Sequence, residues 1–197
     1  INNKNEIFSI QDTLPILEDT IYYISVNEKA TIKFKSFYKN IMDISKYVKL
    51  KTSYKGLGID RKVACMYSKN SIIIDCGSAI TIDIVKQSNH KGGYILPGIS
   101  AYKLAYKNIS SKLDYDINIK INLDKIPLNT QDAISYSVIN SIVNIINQII
   151  NKEYKIIFTG GYGDILSSYI KNSQYKKNLI FDNMKDIIYA NNCFTKG

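Results

Sequence analysis

The residues best placed to do chemistry gather around Asp75. The run Ile72-Ile73-Ile74-Asp75-Cys76-Gly77-Ser78-Ala79-Ile80-Thr81 sets a carboxylate, a glycine and two hydroxyls between two apolar stretches. Three consecutive isoleucines followed by alternating Ile80, Ile82 and Ile84 predict two strands joined by a tight turn. At such a turn Gly77 lets a backbone N–H come close to an anion, and Ser78 and Thr81 add hydroxyl donors. Asp75, at the end of a buried strand, could hold a metal ion or its water shell. An ordinary hairpin in which Asp75 only caps the turn reads the same residues, and short Gly/Asp motifs recur by chance.

Four further segments bear on this one. In Tyr54-Lys55-Gly56-Leu57-Gly58-Ile59-Asp60-Arg61 two glycines free a loop and Asp60 opens a helix, where it serves either as an N-cap or as a carboxylate facing a substrate. Arg61 offers a fork for a carboxylate or a brace for the loop. Gly92-Gly93 with Pro97-Gly98 marks an open turn ahead of a helix, and Asn129-Thr130 starts another, with Thr130 a credible N-cap. Thr159-Gly160-Gly161-Tyr162-Gly163 closes a strand and opens a helix, but it has neither the lysine nor the length of a Walker loop. The chain's one histidine, His90, falls in the polar turn 87–91 and is expected to be exposed. A mechanism built on several histidines, or a His-rich metal site, is excluded.

Taken in this order, the five segments resemble the type III pantothenate kinases of the acetate and sugar kinase/Hsp70/actin superfamily, and the resemblance runs from about Tyr22 to about Gly163. The resemblance implies an α/β fold of two ribonuclease-H-like, actin-like ATPase domains. It implies transfer of the ATP γ-phosphoryl group to pantothenate, the first step of coenzyme A synthesis, by a homodimer using Mg²⁺ and a monovalent cation, potassium or ammonium. It makes Asp60 the catalytic carboxylate and Asp75 the cation-site residue. Tyr54, Gly58, Ile59, Arg61, Gly93 and Thr130 then face pantothenate, Thr130 from across the dimer, while Gly77, Ser78, Thr81, Gly160 and Gly161 face ATP. The family's opening strand and first phosphate loop, of the form Asp-x-Gly-Asn-Thr, have no match at the front of this chain, so the first domain is expected to be truncated there. A non-catalytic regulatory or accessory protein of the family, and another small-molecule kinase of the superfamily, are the alternatives.

The elements that must position these residues follow from periodicity. Strands are predicted at 6–10, 21–26 and 45–50, and helices at 27–38 and 60–67. The polar break at 68–71 divides the chain into domains 1–68 and 69–197. An antiparallel meander at 71–76, 79–86 and 92–96 comes next, then a helix carrying Tyr102 and Tyr106 one turn apart. Alternating Ile117, Ile119 and Ile121 suggest an edge strand in an otherwise irregular 114–128. The helix 130–150 is apolar over so much of its circumference that it should be buried on two sides. A strand at 154–159 and a helix, strand and short helix complete the chain.

Composition narrows the function classes. Of 197 residues, 45% are hydrophobic and 22% charged, an ordinary globular balance that excludes long disorder. No apolar run is long enough to span a bilayer and no signal-peptide pattern is seen, so a cytoplasmic location off the membrane is expected. The net charge of +9 comes from scattered lysines rather than a stripe, which fits anionic substrates better than nucleic acid. Cys65, Cys76 and Cys193 lack metal-type spacing and read as reduced thiols.

Overall fold

The computed structural model describes residues 14–193. In chain order these form β1 (Ile21–Tyr23), α1 (Glu28–Phe37), β2 (Ile41–Asp43), β3 (Lys51–Thr52), α2 (Ile59–Cys65), β4 (Asn70–Cys76), β5 (Ala79–Lys86) and β6 (Asn89–Pro97). The second half adds α3 (Ile99–Ile109), α4 (Thr130–Ile149), β7 (Lys155–Thr159), α5 (Gly163–Ser167), β8 (Ser173–Tyr175) and α6 (Leu179–Ala190). The strand expected at 6–10 lies outside the described residues.

Six strands make one mixed sheet in the order β3-β6-β5-β4-β7-β8. β4, β5 and β6 are the expected antiparallel meander, and β7, β8 and β3 add in parallel. The turn between β5 and β6 is only Gln87 and Ser88, both left-handed (φ 52° and 58°), with Lys86 opposite Asn89. Such a turn matches the twist of a hairpin but usually recruits Asn-Gly, so the sequence places the start of β6 three residues late.

The sheet's pleat sorts its residues onto two faces. Ile72, Ile74, Cys76, Ile80, Ile82 and Phe158 meet Val138, Ile139, Ile142 and Ile146 of α4 and Leu166 of α5. Ile73, Val85 and Ile157 meet Ala64 and Cys65 of α2 and Leu179 of α6. The result is a helix–sheet–helix sandwich, a mixed α/β fold. A separate parallel pair, β1 with β2, packs Tyr22 and Met42 onto Ile44, Val63, Met184 and Ile187, which ties it to α2 and α6.

Four expectations need correction. Segment 45–50 is no strand: Ser45–Tyr47 is a 3₁₀ turn started by Asp43, whose Oδ1 accepts the Ser45 N–H at 2.8 Å. The 117–121 stretch forms no strand either, because its carbonyls are used elsewhere: the Tyr169 hydroxyl lies 3.0 and 2.8 Å from those of Ile119 and Ile121. Helix α4 is capped by Asn129, whose Oδ1 accepts the Asp132 N–H at 2.9 Å, and not by Thr130. Within the single chain α4 buries one stripe, leaving Ser137, Asn144, Asn147 and Gln148 exposed, so it is not buried on two sides.

Candidate functional site

β4 and β7 run parallel and end side by side, so the turns that follow them open at the same edge of the sheet. Asp75 is the next-to-last residue of β4, with Thr81 directly opposite on β5 and Thr159 opposite on β7. All three share the face on which α2 lies. The turn beyond β4 gives its Gly77 N–H to the Ala79 carbonyl (3.1 Å) and leaves Ser78 exposed. The turn beyond β7 folds back onto β4, where the Tyr162 N–H reaches the Cys76 carbonyl at 3.2 Å. Gly160 makes this approach possible. Its φ of +81° is left-handed, and a Cβ there would stand 2.5 Å from Asp75 Oδ1 and 2.8 Å from Cys76 backbone atoms.

α2 brings Asp60 to this edge. Gly58 is the N-cap, so Asp60 is the second helical residue and no cap. Its Oδ1 accepts the Arg61 N–H at 2.8 Å. Burial first, and then the charges of Asp60 and Asp83, push the Asp75 carboxyl above its ordinary pKa. No hydrogen bond or ion pair to the Asp75 side chain forms among the described residues. A half-buried carboxylate facing two like charges, with no protein cation beside it, is suited to receive a cation with a bound anion. No group of three or more His, Cys, Asp or Glu among the described residues is arranged to hold a metal ion, so Asp75 would act with ligand oxygens.

The neighbouring side chains are buried and tied together. Arg61 Nε donates to Asp83 Oδ2 at 3.0 Å and Nη2 to Asp83 Oδ1 at 2.7 Å. Burial works against the guanidinium charge, but Asp83, with help from Tyr54, holds its pKa above the ordinary value. The Arg61 guanidinium lies over the Tyr54 ring, 5.1 Å from its centroid. His90 is not exposed. It sits in β6 facing α2, with Nε2 2.8 Å from Asp83 Oδ1. Gly92 and Gly93 are not a turn but part of β6, opposite Ile84 and Asp83, and a Cβ on Gly93 would stand 1.9 Å from the Ile82 carbonyl oxygen. Thr130 is exposed at the start of α4. Asp60, Asp75 and the two glycine turns are thus at one edge, with Tyr54 and Arg61 beside Asp60. Asp83 was missed by sequence reading. Its only sign there was a charge at an inward position of a strand otherwise apolar on that stretch.

The profile of the type III pantothenate kinase family matches residues 12–152. A type III pantothenate kinase of Campylobacter hominis is 48% identical over 87% of this chain and 82% of its own length. One from Campylobacter jejuni (strain RM1221) is 41% identical over 96% of this chain and 90% of its own. The chain belongs to the type III pantothenate kinase family. A solved structure from Campylobacter jejuni, described as a conserved Baf family transcriptional activator, is similar as well. It has a TM-score of 0.83 and 41% identity, and the match covers 91% of this chain and 86% of that one. Family membership gives the convergence of Asp60 and Asp75 a chemical context, since phosphoryl transfer relies on positioning and charge balance rather than on a covalent nucleophile.

Proposed function

We propose that this family member is an ATP-dependent kinase that phosphorylates pantothenate to 4'-phosphopantothenate, the first step of coenzyme A synthesis. The observation that carries the reading is the meeting of Asp60 and Asp75 at the edge where the Gly77–Ser78 and Gly160–Gly161 turns open. In this reading the primary hydroxyl of pantothenate attacks the γ-phosphorus, the bond to the ADP oxygen breaks, and Asp60 orients the hydroxyl and takes its proton late. A carboxylate with a reference pKa of about 4 is a weak base toward an alcohol, so proton transfer follows charge development.

Ser78, Thr81, Gly77, Gly160 and Gly161 are assigned to ATP, which enters with Mg²⁺. Asp75 is assigned to a monovalent cation, potassium or ammonium, which when bound would balance phosphate charge. Tyr54, Gly58, Ile59, Arg61, Gly93 and Thr130 are assigned to pantothenate. Support for Arg61 is that Asp83 fixes its guanidinium through Nε and Nη2 against the Tyr54 ring, in a planar fork of the kind that matches a carboxylate. The chain is read as two ribonuclease-H-like domains of the actin-like ATPase kind, 1–68 and 69–197, the second holding the β4–β8 sheet. β3 and α2 of the first would pack directly on it. A homodimer in the cytoplasm completes the reading. Three free, buried cysteines support a reducing compartment, and no helix among the described residues is long and apolar enough to cross a membrane.

The name carried by the Campylobacter jejuni structure marks the other reading, a non-catalytic regulatory or accessory role. Asp60, with Oδ1 on the Arg61 N–H, and Asp75, with no hydrogen bond or ion pair to its side chain among the described residues, meet at one edge, which speaks against it. The test is turnover by the purified protein in saturating ATP, Mg²⁺ and potassium, read as pantothenate-dependent ADP release and as the mass of the phosphorylated product. Absence of both would overturn the enzymatic reading.

A further inference from the structure

Asp83, His90 and Arg61 are 1%, 2% and 8% exposed, and their polar atoms form one continuous chain. Asp83 Oδ2 accepts Arg61 Nε–H at 3.0 Å, and Oδ1 accepts both Arg61 Nη2–H at 2.7 Å and the His90 Nε2–H at 2.8 Å. An ionised carboxylate only accepts, so the His90 proton facing it is on Nε2. His90 Nδ1 then lies 2.7 Å from Thr52 Oγ1, which itself accepts the Tyr54 N–H at 3.0 Å. With the imidazole proton on Nε2, the Thr52 hydroxyl donates to Nδ1 and accepts from Tyr54, and each contact pairs one donor with one acceptor. The Tyr54 ring stands 5.8 Å from the imidazole, edge toward face, and under the Arg61 guanidinium.

The chain joins two segments that the backbone holds apart: the loop after β3, which carries Tyr54, and the start of α2, which carries Asp60 and Arg61. Resting on the assignment of Tyr54 and Arg61 to pantothenate made above, we propose that Thr52, His90 and Asp83 are positioning residues. They act through Tyr54 and Arg61, fixing the Tyr54 ring against the guanidinium while Asp83 holds Nε and Nη2. Asp83 is the hub because only a carboxylate can accept from all three donors at once. An amide in its place would turn N–H groups toward Arg61 or His90, forcing the imidazole proton onto Nδ1 or breaking an Arg61 bond.

The single histidine makes the test direct. Long-range ¹H–¹⁵N correlation on the labelled protein should show one imidazole in the Nε2–H tautomer, and Asp83→Asn should change that pattern. In turnover, Thr52→Val should raise KM for pantothenate by about fivefold, with KM for ATP and kcat near the parent, and Thr52→Ser should restore it. An imidazole averaging between tautomers in the parent, a parental pantothenate KM in Thr52→Val, or equal rises in both KM values would overturn the proposal. If Asp83→Asn fails to fold, the parent spectrum and the Thr52 pair still decide. A parent without pantothenate turnover defeats the functional reading instead, and the tautomer then tests the relay alone.

Discussion

Asp60 and Asp75 are like charges on adjacent elements, yet they ask for different chemistry. Asp60 has its oxygen on a backbone N–H and faces the loop of Tyr54, while Asp75 sits under the two glycine turns. Asp60→Asn should keep pantothenate KM within about threefold and cut kcat by about 100-fold or more, because the amide still accepts a hydrogen bond but takes no proton. Steady-state kinetics checks this, and parental turnover would reduce Asp60 to a helix residue. Asp75→Asn should act on cation dependence and on stability together. Its carboxyl is held above the ordinary pKa by burial and by Asp60 and Asp83, so the folded state binds the proton more tightly than the unfolded one. Stability contributed by that proton is present below the ordinary carboxylate range and is lost as pH rises through the raised value. At neutral pH without ligands the variant should therefore melt higher than the parent, with the difference closing in acid. At constant ionic strength the parent should prefer potassium to sodium, and Asp75→Asn should be poor in both. A variant that melts lower overturns the account of its buried carboxyl, and one that still responds normally to potassium removes Asp75 from the cation site.

At the scale of elements, α2 is the vulnerable part. Seven residues are too few for a helix to hold itself in water, so its position is imposed from outside. Asp83 grips the first turn through Arg61. Asn183 of α6, itself buried, grips the last, donating Nδ2–H to the carbonyls of Val63 (2.7 Å) and Ala64 (3.2 Å). Asn183→Ala leaves these carbonyls without that donor and should cost about 1–3 kcal/mol in urea unfolding. Since α2 carries Asp60, kcat should fall as well; unchanged stability would mean the grip is dispensable. Sequence periodicity located α2, the β4–β5–β6 meander, α4 and β7 because each has a clear apolar pattern. It could not see what side-chain hydrogen bonds decide: the Asp43 turn that replaces a strand, the Tyr169 hydroxyl that occupies the 119–121 carbonyls, and the two-residue turn that pulls His90 into β6. Asp60 and Asp75 were legible because each stands in a glycine-bearing segment of the ordered set that resembles the family. Asp83 was not, since its partners Arg61 and His90 come from α2 and β6 and meet only in three dimensions.

At the scale of the whole molecule, one assigned residue stands apart. Thr130 is exposed at the start of α4, and the loop before it displays Ile126 and Leu128 at 87% and 95% exposure. Such exposed apolar side chains beside Thr130 would suit a contact with a second copy. If a second copy covers this face and Thr130 serves the partner's site, each site draws Asp60 from one subunit and Thr130 from the other. Asp60→Asn and Thr130→Ala, each poorly active alone below saturating pantothenate, should then complement when unfolded together and refolded as a mixture. In a mixed dimer one site loses both residues and the other keeps both. Half of randomly paired dimers are mixed, so the mixture should recover about a quarter of parental activity. Were Thr130 to serve its own subunit's site, every site would carry one lesion. The mixture would then show only the mean of the two variants, an outcome that removes Thr130 from the partner's site.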